Sequence, residues 1–281
     1  MRPFSLVTSA FPALFGTILA GWKGTQINWA VCAVAVFTAV LIHLAANLTN
    51  SLYDWLSGHD RPGSPQTIPL IDGSQDGIQA VQKALRIIRI LAFATAAAFG
   101  AMTHWALVVY PVLGYLGGVY YTKPPIAFKH RGWGSIGVFV IMGLAAPAAA
   151  FQGQTGWIDI STILAFVPIA VLVTAILLAN EIRDREVDQA LGSITSVVRL
   201  GAAQGKRLYA ACLLAAYGAV ILNVSKGFLP TASLIVFGSL PQLKQLYQHL
   251  RLDKLTHLDK ATAQFYGAFC ILYTLTLLWP N

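Results

Sequence analysis

Residues 28–54 read NWAVCAVAVFTAVLIHLAANLTNSLYD, a run of 27 residues with no charged side chain before Asp54. As a helix this run is about 40 Å long, more than the roughly 30 Å hydrocarbon core of a bilayer requires. Its first two-thirds are apolar on every side, which suits lipid better than a water-facing surface. Amides and a carboxylate then enter at Asn47, Asn50 and Asp54. The stretch 160–188, ISTILAFVPIAVLVTAILLANEIRDREVD, repeats the plan and ends in Asn180, Asp184 and Asp188. Two long apolar helices, each finishing in an acidic motif, set the reading of the chain.

The rest of the sequence agrees with that reading. Of the 281 residues 56% are hydrophobic and 11% charged, with a mean hydropathy of +0.64. Soluble domains carry about 25% charged residues. Nine apolar runs emerge, at about 4–21, 28–54, 84–103, 105–122, 134–151, 160–182, 206–223, 227–241 and 261–279. They predict an all-α, polytopic membrane protein with about nine transmembrane helices around a central cavity, as one domain over 1–281. The first run reads as a retained helix, because no convincing cleavage site follows it. Cys32, Cys212 and Cys270 sit in apolar runs without metal-ligand spacing and read as small core residues. His43 reads as a packed polar residue and His104 as an interface residue.

Charge sets the expected orientation. With the N-terminus and the long connections on one side, 17 of the 19 Lys and Arg fall there, and only Lys23 and Lys226 do not. The positive-inside rule then places the N-terminus, and the cap loops 55–83 and 183–205, in the cytoplasm. Ten of the 11 acids share that side, Asp159 being the exception. Topology does not require this of acids, so it points to chemistry on that face. The net charge of +8 follows from membrane orientation and does not call for nucleic acid. The segment 242–260 mixes Leu, Tyr, His and charges and reads as an interfacial or cytoplasmic helix.

Helical geometry turns each motif into a stripe. Asn50 lies about 60° and Asp54 about 20° behind Asn47, and Asp184 and Asp188 lie about 40° and 80° round from Asn180. Such oxygen-rich faces suit a hard cation like Mg²⁺, which binds few carboxylates and shares its shell with water and substrate phosphates. Zinc spacing and a Walker-type glycine loop are both absent from the sequence. Lys123, Lys129 and Arg131 in the 123–133 connection, with Arg183, are candidate anion contacts. Tyr53, Tyr120 and Tyr121 are candidates to line a site for a positive charge.

At these residues the sequence resembles the UbiA superfamily of intramembrane prenyltransferases. Asn50 and Asp54 match its first motif, and Asp184 and Asp188 its second. The 1,4-dihydroxy-2-naphthoate (menaquinone-pathway) branch is similar at four stretches: Asn47–Asp60, Tyr120–Gly134 (YYTKPPIAFKHRGWG), Asn180–Gly201 (NEIRDREVDQALGSITSVVRLG) and the final helix from Lys260. Ser51 stands where the first motif usually has Asp, and Ser193 where many bacterial relatives have Lys.

The resemblance implies a Mg²⁺-dependent enzyme that moves an isoprenyl group from a prenyl diphosphate to an aromatic acceptor. The favoured acceptor is 1,4-dihydroxy-2-naphthoate. Metal ligands by this reading are Asn50, Asp54, Asp184 and Asp188, with Asp60 a further candidate. Asn47 and Asn180 join the substrate contacts, and Lys129 and Arg183 are the favoured diphosphate cations. The implied setting is a bacterial-type inner membrane with the active site toward the cytoplasm. Three other readings compete. One is a membrane terpene cyclase using the same ionisation, and another is transfer to a different aromatic acceptor. The third is an ion-coupled transporter, which would place its acids nearer the bilayer midplane.

Overall fold

The computed structural model describes residues 7–58, 71 and 74–278. Helix dominates these residues, and the sole extended pairing among them is an isolated bridge between Arg131 and Ile194. The helices are α1 (Val7–Trp22), α2 (Trp29–Leu56), α3 (Gln75–Met102), α4 (Val109–Tyr120), α5 (Gly134–Val138), α6 (Ala146–Thr155), α7 (Ile160–Ala190), α8 (Ser196–Leu200), α9 (Ala202–Ser225), α10 (Leu240–Arg251) and α11 (Leu258–Leu275). A 3₁₀ turn, Trp105–Val108, leads into α4, and a longer one, Thr231–Ser239, leads into α10. A π-helical segment, Phe139–Ala145, fuses α5 to α6.

Among the described residues, five helical stretches are long and apolar enough to cross a membrane: Trp29–Leu56, Gln75–Met102, Gly134–Thr155, Ile160–Ala190 and Ala202–Ser225. Val7–Trp22 and Trp105–Tyr120 are apolar but shorter. The run expected at 227–241 becomes the 3₁₀ turn and the start of α10, and the final run becomes α11, which opens on Asp259 and Lys260. Where they are described, the expected cap loops are largely helical. Residues 75–83 are the first turns of α3, 183–190 end α7, and 196–200 form α8. Arg, Glu and Gln are good helix formers, so these helices run on past their apolar parts. The helix expected within 242–260, interfacial or cytoplasmic, is α10.

Side-chain caps start the main helices. The Asn28 side chain accepts from Ala30 and Val31 N–H at 3.1 and 3.3 Å, and Ser74 accepts from Gly77 N–H at 3.0 Å. Asp159 caps α7 through Thr162 N–H at 2.7 Å. These bonds satisfy donors that a helix start would leave open. The same Asp159 holds Lys23 Nζ at 3.1 Å, with Ser161 and Thr162 hydroxyls at 2.7 and 2.8 Å. Burial opposes ionisation of Asp159, but hydrogen bonds from Thr162, Lys23 and Ser161 outweigh it and hold its carboxyl well below the usual range. A second lock pairs Asn28 with Gln154 through bonds of 2.9 and 3.0 Å. Both locks tie the end of the bundle remote from the acidic motifs.

α7 is the most buried of the five long stretches, packed against α9, α11 and the π segment. Phe15 of α1 stacks on Tyr273 of α11 at 4.7 Å and meets Phe166 of α7 edge-on at 6.2 Å. Cys32 and Cys270 are buried free thiols, as expected of small core residues. Small residues set the closest helix crossings. A Cβ on Gly16 would stand 2.1 Å from the Pro147 carbonyl oxygen, and one on Gly143 2.4 Å from Ala170 Cα. Pro147 has no N–H for the Gly143 carbonyl, and the turn before it widens so that Ala146 N–H reaches Ile141 O instead. Gly16→Ala is therefore expected to force α1 away from α6 and cost about 1–3 kcal/mol. A lower melting temperature in detergent, with the helical content unchanged, is the result to look for.

Candidate active site

One cavity of about 670 Å³ opens between α2, α4, the π segment and α7. Along α2 it is lined by Ala35, Thr38, Ala39, Ile42, His43, Ala46, Asn47, Asn50 and Asp54. These positions recur at three- and four-residue spacing, so a single face of α2 forms the wall. The 19 residue steps from Ala35 to Asp54 correspond to about 28 Å of depth. Polar groups crowd one end, where Asn50, Ser51 and Asp54 face Asn180, Glu181, Arg183, Asp184 and Asp188 of α7. The opposite end is mostly apolar, with Phe99, Tyr110, Ala145 and Ala149.

Cations are built into the polar end. Lys129 Nζ donates to Asp54 Oδ2 at 2.9 Å. Arg183 grips Asp184 with two bonds, Nε to Oδ1 at 2.7 Å and a terminal nitrogen to Oδ2 at 2.6 Å. Its other terminal nitrogen reaches Asp259 of α11 at 2.5 Å. A fork held on both sides in this way is well fixed in direction. His130 Nε2 stands 3.6 Å from Asp54 Oδ1, and its Nδ1 is 2.6 Å from Ser193 Oγ. Two further bonds join the same segments: Ile194 N–H donates to His130 O, and the Arg199 guanidinium donates to Arg131 O. The Ser193 position, read from sequence as a departure, is thus a buried support for His130.

Nine of the expected site residues share this cavity: Asn47, Asn50, Asp54, Tyr121, Lys129, Asn180, Arg183, Asp184 and Asp188. Four do not. Tyr53 is about 100° round α2 from Asp54, and Tyr120 stands in the same relation to Tyr121. Tyr53 and Lys123 line a separate cleft on the far side of α2, with Lys123 Nζ 5.9 Å from the Tyr53 ring. Arg131 turns to the surface, where it donates to Pro125 O at 2.7 Å. Asp60 lies outside the described residues.

Two residues not expected in the site belong to it. His43 lines the cavity one turn below Asn47, on the same stripe. Glu181 is buried. Its Oε2 accepts from Val197 N–H at 3.1 Å, while Oε1 has no hydrogen-bond partner. The Tyr121 hydroxyl and Glu181 Oε1 lie 3.3 and 3.4 Å from the point where a Cβ on Gly134 would sit. A side chain there would crowd both groups, so glycine lets α5 pass close to them. An acid inside the NEIRD stretch was the available signal for Glu181. Nothing in the sequence marked His43.

Could these residues hold a cation? Among the described residues no three His, Cys, Asp or Glu side chains come together as a complete metal cage. Asn50 Oδ1 and Asp54 Oδ1 are, however, buried acceptors without a hydrogen bond. Leaving such groups unmet costs about 1–3 kcal/mol each. Oxygen donors, few in number and partly unmet, fit an ion such as Mg²⁺ that takes the remainder of its shell from substrate oxygens.

Comparison with known proteins agrees with this arrangement. The model of the UbiA prenyltransferase family matches residues 9–277. The UbiA prenyltransferase domain-containing protein 1 homolog of Drosophila melanogaster is 28% identical over 284 residues, covering 97% of this chain and 76% of that protein. The 1,4-dihydroxy-2-naphthoate octaprenyltransferase of Bacillus subtilis (strain 168) is 29% identical over 285 residues, covering 99% and 90%. A UbiA homolog from Archaeoglobus fulgidus, solved bound to DMAPP and Mg²⁺, has the same fold, with a TM-score of 0.63 at 14% identity and coverage of 98% and 97%. With the family matched along nearly its whole length and both acidic motifs facing one cavity, the chain belongs to the UbiA prenyltransferase family.

Proposed function

We propose that this protein transfers an isoprenyl group from a prenyl diphosphate to an electron-rich aromatic ring, with Mg²⁺ as cofactor and 1,4-dihydroxy-2-naphthoate as acceptor. One observation carries the reading: a long apolar cavity whose polar end sets four motif oxygen ligands beside two cations. The apolar depth suits a hydrocarbon tail, and the polar end suits its diphosphate. The Archaeoglobus homolog bound to DMAPP and Mg²⁺ supports the donor and the metal, and the Bacillus relative supports the acceptor.

The chain's residues divide the work. Lys129 and Arg183 meet the diphosphate oxygens and hold the donor with its allylic carbon toward Tyr121. Asn50 and Asp54 on α2, and Asp184 and Asp188 on α7, would hold the metal ion, and Mg²⁺ bound there would supply positive charge to the leaving diphosphate. The allylic C–O bond breaks, and its electron pair leaves with the diphosphate. The Tyr121 ring faces the resulting cation. A ring carbon of the acceptor supplies the pair for the new C–C bond. Where that carbon carries a carboxylate, CO₂ departs and its bonding pair restores the aromatic ring. Packed apolar side chains keep water from the cation.

The acceptor's place in this reading is the part of the cavity wall formed by Tyr121 and Glu181. Glu181 Oε1 is positioned to accept a hydrogen bond from a ring hydroxyl, and the Tyr121 hydroxyl to donate one. Glu181→Gln is expected to raise the acceptor KM roughly tenfold. The KM for the prenyl diphosphate should stay near its wild-type value. Parallel loss for both substrates would place Glu181 elsewhere in the reaction.

The charge distribution supports an N-terminus and a catalytic end facing the cytoplasm, within a bacterial-type inner membrane. In this arrangement α1, α4, the 231–251 segment and α11 complete a nine-span bundle. The deciding assay combines purified protein, Mg²⁺ and prenyl diphosphates of increasing length. Its arms contain dihydroxynaphthoate, 4-hydroxybenzoate or no acceptor, with products read by mass spectrometry. Prenylated, decarboxylated naphthoate is expected. A cyclised product formed without acceptor would replace this reading with a terpene cyclase.

A further inference from the structure

Behind the wall of the catalytic cavity, on the other side of α2, lies a second cleft of about 280 Å³. It shares no lining residue with the first. Arg86 and Arg89 enter it from α3, Lys123 from the end of α4, and Tyr53 from α2. Thr49 and Gln82 add neutral hydrogen-bonding groups. No carboxylate lines it among the described residues, and none of its three cations has an ion pair there. Three positive charges without an ion pair, two from α3 and one from just beyond α4, cost self-repulsion unless an anion joins them.

The setting of the two arginines narrows the anion. Both belong to the stretch ALRIIRILAF of α3, between exposed Ile87, Ile90, Leu91 and Phe93. Cations on an apolar, lipid-facing helix near its polar end reach toward the headgroup layer and pair with what they find there. Tyr115 of the cleft packs against Phe93 of α3 with ring centroids 5.0 Å apart. Tyr53, adjoining Asp54, places the cleft at the same end of the bundle as the acidic motifs. Basic pockets of this kind between membrane helices select anionic headgroups.

We propose that this cleft binds the phosphate headgroup of an anionic membrane lipid, with its acyl chains along the exposed apolar face of α3. The donor's diphosphate suits the cleft less well, because no carboxylate is present to share a metal with it. The lipid would brace the outer side of α2 directly behind Asp54.

The test uses the full chain in nanodiscs of phosphatidylcholine with phosphatidylglycerol, followed by native mass spectrometry of lipids retained after gentle delipidation. Wild type is expected to retain phosphatidylglycerol over phosphatidylcholine. The R86Q/R89Q variant should lose that preference, by about fivefold for each arginine and roughly thirtyfold for the pair. R86K/R89K should keep most of it. K244Q/R251Q, altering exposed cations of α10, should match wild type. Equal retention of both lipids by wild type, or equal losses in the α3 and α10 variants, would overturn the proposal. So would displacement of phosphatidylglycerol by a water-soluble prenyl diphosphate without Mg²⁺, which would make the cleft a donor site instead.

Discussion

Asp54→Ala is expected to lower prenyl transfer by about a hundred- to a thousandfold, the usual loss when a charge-stabilising group is removed from a transition state. Geometry concentrates several duties on this one carboxylate. Its Oδ2 holds Lys129 at 2.9 Å, and its buried Oδ1 has no hydrogen bond. Alanine removes a metal ligand of the proposed mechanism and also releases Lys129, a diphosphate contact in that mechanism. Asp54→Asn separates the two roles. The amide oxygen can still accept from Lys129, so the loop should stay docked, but the anionic ligand is gone. Activity should therefore fall nearly as far in Asp54→Asn as in Asp54→Ala. Thermal stabilisation by Mg²⁺ with an unreactive prenyl diphosphate analogue should vanish in both. Full activity in either variant would sink the metal assignment.

The motif faces were legible from sequence because helix geometry is rigid. Once 28–54 and 160–188 are helices, the placing of Asn47, Asn50 and Asp54 opposite Asn180, Asp184 and Asp188 needs only the 3.6-residue period and a packed pair. The same rigidity explains the failures at Tyr53 and Tyr120. Each is one residue from a cavity position, and one residue is enough to turn a side chain onto another face. Composition had singled them out, whereas position decides.

Loop cations were harder to read. Lys123, Lys129 and Arg131 are equivalent on charge and proximity in sequence. The path of the loop separates them. Lys129 N–H bonds Tyr121 O at 2.9 Å, and Gly132 takes a φ of +73° that favours glycine. That path turns Lys129 inward to Asp54 and leaves Arg131 at the surface. Hydropathy also could not show that the run at 227–241 takes a 3₁₀ form at Thr231–Ser239 before α10, because an apolar run reads alike in either helix type. Glu181 and His43 were hidden for a related reason. A polar residue among apolar neighbours shows its partner only when another helix is brought against it.

Arg183 carries the second large effect, and here fold and chemistry are joined in one side chain. It links Asp184 on α7 to Asp259 on α11, the latter side chain only 6% exposed. Removing one partner of a buried ion pair costs about 3–5 kcal/mol, since the remaining charge loses its compensation. Arg183→Ala is therefore expected to lower the melting temperature clearly and also to abolish activity. That result alone would not tell binding from folding. Adding Asp259→Asn removes one of the two carboxylate charges that lose the guanidinium, so the double variant should regain part of the lost stability. Its activity should stay low, because no guanidinium remains to hold the diphosphate beside Asp184. Arg183→Lys should fall between, keeping charge without the fork that spans two carboxylates. If the double variant recovered activity along with its melting temperature, Arg183 would be a tie between helices and the diphosphate contact would have to lie with Lys129.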